Sequence, residues 1–204
     1  MLAVRPDLCI AVVGAGPPDA VEVLQQAGVE YVVVPDTYDA AGVREKILVV
    51  ADALGVPDAG LELANEIEAQ LAAALGAVEG EPPRVLFILS TQGGRITASG
   101  EGTAASGIIE MAGGVNAVTD FEGYRQLTDE ALLAAAPDVI LMMDRAGDHS
   151  AANDELFGHP ALGLTPAADD EAVVRINGLL LLGFGPRTAE AVTRLSQALG
   201  TTGG

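Results

Sequence analysis

The 204-residue sequence contains no tryptophan, one cysteine and one lysine, and only 3% of its residues are aromatic. With so few aromatic rings, a surface that stacks sugar rings or nucleic-acid bases is not expected. The single cysteine, Cys9, excludes an internal disulfide and a cage of thiolate metal ligands. Because Cys9 lies inside the apolar run Leu8–Val13, we expect it to be a small buried core residue.

Positive charge is also scarce, since 10 Lys and Arg stand against 29 Asp and Glu and the net charge is −19. A surface this negative repels phosphate backbones, which argues against a nucleic-acid partner and against a basic membrane-surface protein. No apolar run reaches the roughly 18 to 20 residues that span a bilayer. The sequence shows no signal-peptide pattern, so no targeting segment reveals the location.

Half of the residues are apolar, and short apolar runs alternate with segments of helical periodicity. This alternation predicts an α/β fold in which helices flank parallel-type sheets. The predicted strands are Leu8–Val13, Tyr31–Val34, Arg84–Leu89, Val139–Met143 and Val173–Ile176. The predicted helices are one that follows Pro18 and stops at Gly28, then Ala41–Leu54, Pro57–Val78, Thr103–Met111, Asp129–Ala136 and Pro186–Leu199. Glycine-rich Gln92–Gly102 and polar Asp144–Asn153 are expected to be loops, and the tail Gly200–Gly204 is expected to fray.

An internal repeat aligns Met1–Ile10 with Leu132–Leu141, each reading as a helix end, a Pro-Asp turn and a strand. The repeat predicts two similar lobes joined by the long helix. We therefore divide the chain into a partial N-terminal lobe (1–56), a bridging helix (57–80) and a C-terminal lobe (81–204). In the second copy, Thr128 or Asp129 caps the helix, whereas Met1 falls in mid-helix. The first lobe is thus expected to be incomplete, lacking an N-terminal segment.

The turn Gly14–Asp19 stands where a dinucleotide-binding fingerprint would stand, between a strand and a helix. It lacks the third glycine, and Pro17 and Pro18 remove backbone N–H groups that would bind a pyrophosphate. The two prolines instead suit the first turn of a helix, where a missing N–H has no cost.

Polar and glycine residues follow two predicted strands at their carboxyl ends, which is where ligands bind in open α/β sheets. After the first of these strands come Gln92 and Arg95, with two glycines that permit close backbone approach; a plain flexible loop explains this segment equally well. After the second come Met143 and Arg145. Arg145 suits a ligand carboxylate, or a salt bridge to a neighbouring aspartate, and Met143 suits core and cleft lining.

Neither histidine belongs to a recognisable metal or catalytic set. His149 and His159 both fall in predicted loops and fit surface residues, with His149 kept as a weak candidate metal ligand. No nucleophile–base pair can be assembled, so an enzyme is not expected.

The second half resembles the periplasmic heme-binding proteins of bacterial hemin ABC importers, within the wider class that binds cobalamin and ferric siderophores. The resemblance runs from about Arg5 to Leu199. Its motifs are Arg84–Ser90 with Gly93-Gly94, Gly100–Ala105, Met111–Ala117, Pro137–Arg145 and Gly183–Thr188.

This resemblance implies two lobes bridged by a long helix, with heme as cargo in the cleft, a permease as partner and a periplasmic location. It places Arg145 in the cleft, and it matches Glu130 to the glutamate that docks the second lobe onto the permease. The family's iron-ligating tyrosine lies in a segment absent here. Tyr124 is the repeat-related tyrosine, although packing before a helix explains it too. The alternatives are a cobalamin or ferric-siderophore cargo, or a ligandless interaction module that forms a homodimer through the incomplete lobe.

Overall fold

The computed structural model describes residues 5–75, 81–144 and 152–202. The first part of the chain forms a small parallel sheet from β1 (Leu8–Val12) and β2 (Glu30–Val34), in which Ile10 pairs with Val32. Helix α1 (Pro18–Gln26) connects the two strands and buries Leu24. Its Pro18 occupies the first turn, as the sequence predicts, because the fixed φ of proline suits that position.

Two consecutive helices follow, α2 (Ala40–Ala53) and α3 (Pro57–Ala74). The side chain of Asp39 begins α2 by accepting a hydrogen bond from the backbone N–H of Gly42 at 2.6 Å. Helix α3 packs against both α2 and the last helix of the chain. It therefore connects the first part of the fold to the second through side-chain packing as well as through the backbone.

The second part is built on a larger, mixed sheet. Its strands are β3 (Arg84–Ser90), β4 (Thr97–Ser99), β5 (Val115–Asn116), β6 (Tyr124–Gln126), β7 (Val139–Asp144) and β8 (Val173–Asn177). The order is β6-β4-β3-β7-β8, with β5 paired to the start of β3. Strands β3, β7 and β8 are mutually parallel, whereas β4 is antiparallel to both of its neighbours.

Helices cover this sheet and enclose the main core. They are α4 (Ala104–Met111), α5 (Asp129–Ala135), α6 (Asn153–Phe157), α7 (Pro166–Asp169), α8 (Gly178–Leu182) and α9 (Thr188–Thr202). Val85, Leu86, Phe87 and Ile88 of the central strand are at most 1% exposed. Each such side chain contributes roughly 1.5–3 kcal/mol by leaving water, which makes β3 the centre of the hydrophobic core.

The α/β class and most predicted elements are confirmed, but the burial predicted for β1 is wrong. Cys9 is partly exposed, and Ile10 and Val12 are 37% and 42% exposed. On β2, Val33 is 52% exposed. A continuous apolar run normally marks a parallel strand covered on both faces. Here the described sheet has only two strands, so it leaves part of its apolar surface open.

Two further predictions are corrected. The segment Gln92–Gly102, predicted as a loop, contains strand β4, which pairs with β3 and β6. The last helix begins at Thr188 rather than Pro186 and continues to Thr202 instead of fraying from Gly200. The buried residues of α3 are Gly60, Ala64, Ile67, Leu71 and Ala74, whereas Leu61 is 47% exposed. Residues 76–80 of the predicted bridging helix lie outside the described residues.

Candidate functional site

The carboxyl ends of β3 and β7 lie side by side, as parallel pairing of Ile88 with Met142 requires. A single 3₁₀ turn at Gln92–Gly94 follows β3. Gly93 and Gly94 have φ angles of 67° and 71°, a left-handed conformation that favours glycine. The left-handed backbone at this turn therefore explains the two glycines. The side chain of Gln92 is exposed at this edge of the sheet.

Met143 lies at the same sheet edge as Gln92. It is partly buried against the core, and its sulfur packs so closely on Gly178 that a Cβ there would lie 2.9 Å away. Arg95 is exposed just beyond the Gln92 turn. The structure thus brings Gln92, Arg95 and Met143 to one edge, whereas Arg145 and His149 lie outside the described residues.

Tyr124 is not at that edge. It begins the outermost strand, β6, where it pairs with Ser99 of β4, and its ring meets Phe87 edge-on at 6.4 Å between centroids. Tyr124 as a whole residue remains 43% exposed. Burial of the ring raises its pKa, and a hydrogen bond with Thr103 opposes part of that rise.

Tyr38 is a functional candidate that the sequence reasoning did not select. It follows β2, and its phenol donates a 2.9 Å hydrogen bond to Asp36, whose other carboxylate oxygen accepts from Lys46 at 2.9 Å. Its ring meets Phe184 edge-on, with 5.2 Å between centroids. A charge on Tyr124 would raise the pKa of Tyr38, which places the two phenols within electrostatic reach. The available signal was its position just past a strand's carboxyl end.

The backbone at Tyr38 is packed directly on helix α4. A Cβ at Gly107 would lie 2.2 Å from the Tyr38 carbonyl oxygen and 2.7 Å from its Cβ. Only glycine therefore permits this approach without movement of the main chain. The contact, together with the ring of Phe184, fixes Tyr38 of the first part against the second, and we call this place the tyrosine junction: Tyr38, Gly107, Tyr124 and Phe184.

A buried polar network holds the start of α4 beside Tyr124. Thr103 caps the helix by accepting from the N–H of Ser106 at 3.1 Å, and its hydroxyl lies 2.5 Å from that of Ser99. Asn116 donates to the Ser106 hydroxyl at 3.3 Å and to the Ser99 carbonyl at 3.4 Å. These bonds satisfy polar groups that are at most 4% exposed, so the network fixes the position of the junction.

The raised pKa of Tyr38 predicts a loss of stability in strong alkali. Burial is its largest cause, followed by the hydrogen bond to the Asp36 carboxylate, and both favour the neutral phenol. The contribution is fully present below the unfolded value of about pH 10 and is lost as the pH rises through the higher folded value. In urea unfolding across this pH range, the free energy of unfolding should fall less steeply with pH in Tyr38→Phe than in the wild type. An unchanged pH slope would contradict a buried, bonded phenol.

Helix α5 presents Glu130 to solvent in its first turn. Thr128 caps the helix by accepting from the N–H of Ala131 at 3.2 Å, as predicted. The backbone N–H of Glu130 and the Thr128 hydroxyl lower the pKa of the Glu130 carboxyl, which keeps it ionised. A pocket of about 480 Å³ separates this helix start from the Gln92 turn.

His159 is not the free surface residue that the sequence suggested. Its side chain is only 14% exposed, and Nδ1 accepts from the N–H of Ala161 at 3.3 Å. Nε2 lies 3.9 Å from the carboxylate of Asp129. In the described parts of the chain, no group of three or more His, Cys, Asp or Glu residues is arranged to hold a metal ion. Nor is any helix there long and apolar enough to cross a membrane.

Comparison with known proteins decides the family. The sequence profile described as periplasmic binding protein matches residues 1–178. The chain belongs to the periplasmic binding protein family. Its members are substrate-binding transport proteins rather than enzymes, which confirms the expectation drawn from the absence of a catalytic set.

Several solved structures of this family are similar over almost the whole chain. The periplasmic heme-binding protein BhuT, solved with two hemes, is 40% identical, with a TM-score of 0.92 over 98% of this chain and 77% of BhuT. RhuT, a periplasmic heme-binding protein from Roseiflexus sp. RS-1 solved in apo form, is 34% identical, with a TM-score of 0.90 over 98% of this chain and 78% of RhuT. These matches confirm the resemblance to periplasmic heme-binding proteins.

A curated relative points to the same transport class. The Bacillus subtilis protein YvrC, described as an uncharacterized ABC transporter substrate-binding lipoprotein, is 23% identical over 98% of this chain. The chain spans 63% of the length of YvrC.

Proposed function

We propose that this protein is the substrate-binding component of a heme ABC importer and that its cargo is heme. The observation that carries the proposal is the 40% identity, over 98% of the chain, to a protein solved with heme bound. The partly exposed Tyr124 at the tyrosine junction supports it, because tyrosinate oxygen is a known axial ligand of heme iron.

The proposal keeps the division into a partial N-terminal lobe (1–56), a bridging helix (57–80) and a C-terminal lobe (81–204). Tyr38 comes from the first lobe and Tyr124 from the second, so heme held at the junction would be contacted from both. Such a cleft binds cargo by burial and fixed contacts and carries out no chemical change.

Each candidate residue has a role suited to its chemistry. Tyr124 would ligate ferric iron through its phenolate, releasing the proton that its raised pKa retains in the free protein. Met143 offers an apolar surface to the porphyrin. Gln92 and Arg95 would bind propionates as a hydrogen-bond donor and a cation, and the family resemblance assigns Arg145 to the cleft, near the iron ligand or a propionate. His149 is kept as a weak candidate metal ligand on the sequence alone.

Cargo identity is tested by competition. Hemin, cyanocobalamin and a ferric siderophore are each titrated into the purified protein. Cyanocobalamin and the siderophore are then each added to protein that already holds hemin. We expect hemin to bind and the other two to leave it in place. Displacement of hemin by cobalamin or by the siderophore would move the assignment to that cargo. Arg145→Ala is expected to weaken hemin binding, and unchanged binding would place Arg145 in a surface ion pair.

Glu130 is proposed to dock the C-terminal lobe onto a membrane permease. Its carboxyl is exposed and ionised in the first turn of α5, where a permease arginine could pair with it. We expect Glu130→Ala to abolish most hemin uptake in reconstituted vesicles while hemin affinity stays the same. Glu62→Ala, an exposed glutamate on α3, is the matched control and should leave uptake unchanged. Reduced hemin affinity in Glu130→Ala would contradict a docking role.

The docking role also sets the compartment, since cargo reaches such a permease from outside the cytoplasm. We accordingly propose an extracytoplasmic location. The lipoprotein description of YvrC supports this proposal. Localisation of the tagged full-length protein by fractionation tests it.

A second candidate function is a ligandless interaction module that forms a homodimer through the β1–β2 sheet. The observation that favours it is the open apolar surface of this sheet, where Val33 is 52% exposed. Unpaired strand edges are ready templates for pairing with another chain. Sedimentation equilibrium should then give a dimer that Val33→Lys disrupts. A monomer at all concentrations, together with saturable hemin binding, would exclude this candidate.

A further inference from the structure

A second pocket, of about 360 Å³, lies at the other end of the large sheet from the Gln92 turn. It opens between the start of β3, the segment 117–121 and one face of α5. Two of the chain's nine arginines, Arg84 and Arg125, line it. Two cations converging on one cavity are unexpected in a chain of net charge −19.

The guanidinium of Arg84 is fixed at the wall of this pocket. Its Nε donates to the carbonyl of Ala135 at 3.0 Å, and its Nη2 donates to the carbonyl of Ala117 at 3.2 Å. Both carbonyl groups belong to residues that line the cavity. Because a guanidinium has five N–H donors and these bonds use two, the remaining donors are available to a ligand.

The guanidinium of Arg125 is held by stacking. Its central carbon lies 4.6 Å from the centroid of the Phe121 ring. Phe121 is itself fixed, because its carbonyl accepts from Glu101 at 2.8 Å and its ring packs where a Cβ on Gly100 would lie 2.6 Å away. A stacked guanidinium keeps its edge N–H groups free for in-plane, bidentate hydrogen bonds to an oxyanion.

Neither guanidinium group forms an ion pair within the described residues, whereas Arg44 and Arg194 are paired with glutamates at 3.0 Å and 2.6 Å. A nearby carboxylate, that of Asp138, accepts a 2.8 Å hydrogen bond from the backbone N–H of Arg84 and not from its guanidinium. Asp120 also lines the pocket but forms no ion pair with either arginine. The wall also includes the polar residues Thr119 and Gln126 and an apolar part formed by alanines and other hydrophobic residues: Ala117, Val118, Leu127, Ala131 and Ala134.

We propose that this pocket binds a small organic carboxylate, with its oxygens between Arg84 and Arg125 and a short aliphatic part against the alanines of α5. The site is separate from the tyrosine junction and independent of heme. Fixed guanidinium groups recognise the planar carboxylate in two-point fashion, and the apolar wall selects a carbon chain over a purely inorganic anion.

The test is a titration of the full chain with sodium butyrate, followed by amide and arginine side-chain NMR, against sodium chloride at equal ionic strength. We expect saturable shifts at Phe121 and Arg125 with butyrate only. Arg125→Gln should weaken binding by about tenfold or more, since it removes a charge-assisted bond. Arg194→Gln removes the same charge from an exposed ion pair and should bind butyrate like the wild type.

Three results would each overturn the proposal. The first is the absence of saturable shifts, and the second is equal butyrate affinity in Arg125→Gln and the wild type. The third is inorganic phosphate binding as tightly as butyrate, which would remove the role of the apolar wall. Arg84 is left unchanged because its bonds to Ala117 and Ala135 also join two elements of the fold. Hemin binding does not enter the readout, so failure here leaves the proposed function intact.

Discussion

Replacing Gly107 by alanine is expected to lower the free energy of unfolding by about 1–3 kcal/mol, the usual range for overpacking a rigid interior. Helix propensity alone predicts the opposite sign, because alanine is favoured over glycine within a helix by roughly 1 kcal/mol. The contact decides the sign, since the added Cβ would lie 2.2 Å from the Tyr38 carbonyl oxygen. Backbone cannot rotate away as a flexible side chain can, so Tyr38 must move away from α4.

Gly200→Ala is the matched control for this substitution. It also lies within a helix, and nothing is within 4 Å of a Cβ at that position. Helix propensity is therefore the only effect expected at Gly200. Denaturant unfolding should show that Gly200→Ala raises the free energy of unfolding by up to about 1 kcal/mol. If both variants were stabilised alike, the first part of the chain would not pack on α4 as described.

Asn116→Ala is expected to destabilise the protein by about 3 kcal/mol. Asn116 is 3% exposed, and its side-chain oxygen accepts from the N–H of Val118 at 3.2 Å. Its amide also donates to Ser99 and Ser106. The substitution leaves several buried polar groups without partners, at roughly 1–3 kcal/mol for each one that water cannot reach.

Asn65→Ala provides the comparison for the buried asparagine. Asn65 is exposed on α3 and accepts a single 2.9 Å hydrogen bond from Arg44, which keeps its bond to Glu68. Chemical denaturation should show that Asn65→Ala changes the free energy of unfolding by no more than about 0.5 kcal/mol. An equal loss of unfolding free energy in Asn65→Ala and Asn116→Ala would contradict this account. It would mean that water hydrogen-bonds to the polar groups around α4 once the Asn116 side chain is removed.

Local signals explain why most helices and the parallel strands could be predicted. The hydroxyl of Thr128 and that of Thr103 each mark a helix start that needs no distant partner to be recognised. The apolar residues of β3 and β7 identify central strands for the same reason. In each case the interaction or pattern that determines the element involves residues close together in the sequence.

The errors arise where a distant partner decides the structure. Thr97–Ser99 has a weak strand pattern and becomes β4 only because β3 and β6 supply its hydrogen bonds. The exposure of Ile10 depends on how many strands join its sheet, which no local pattern records. The contact of Tyr38 with Phe184 joins distant parts of the chain, so the sequence offered only a tyrosine after a strand.

The central claim, that heme is held at the tyrosine junction, is tested most directly by a hemin titration followed by absorption spectroscopy. We expect saturable binding by the wild type with a ferric-tyrosinate spectrum. Tyr124→Phe should lose that spectrum and bind hemin more weakly, while Tyr31→Phe, on β2, should retain both. Absorbance that rises without saturation, or a tyrosinate spectrum that survives in Tyr124→Phe, would contradict the account.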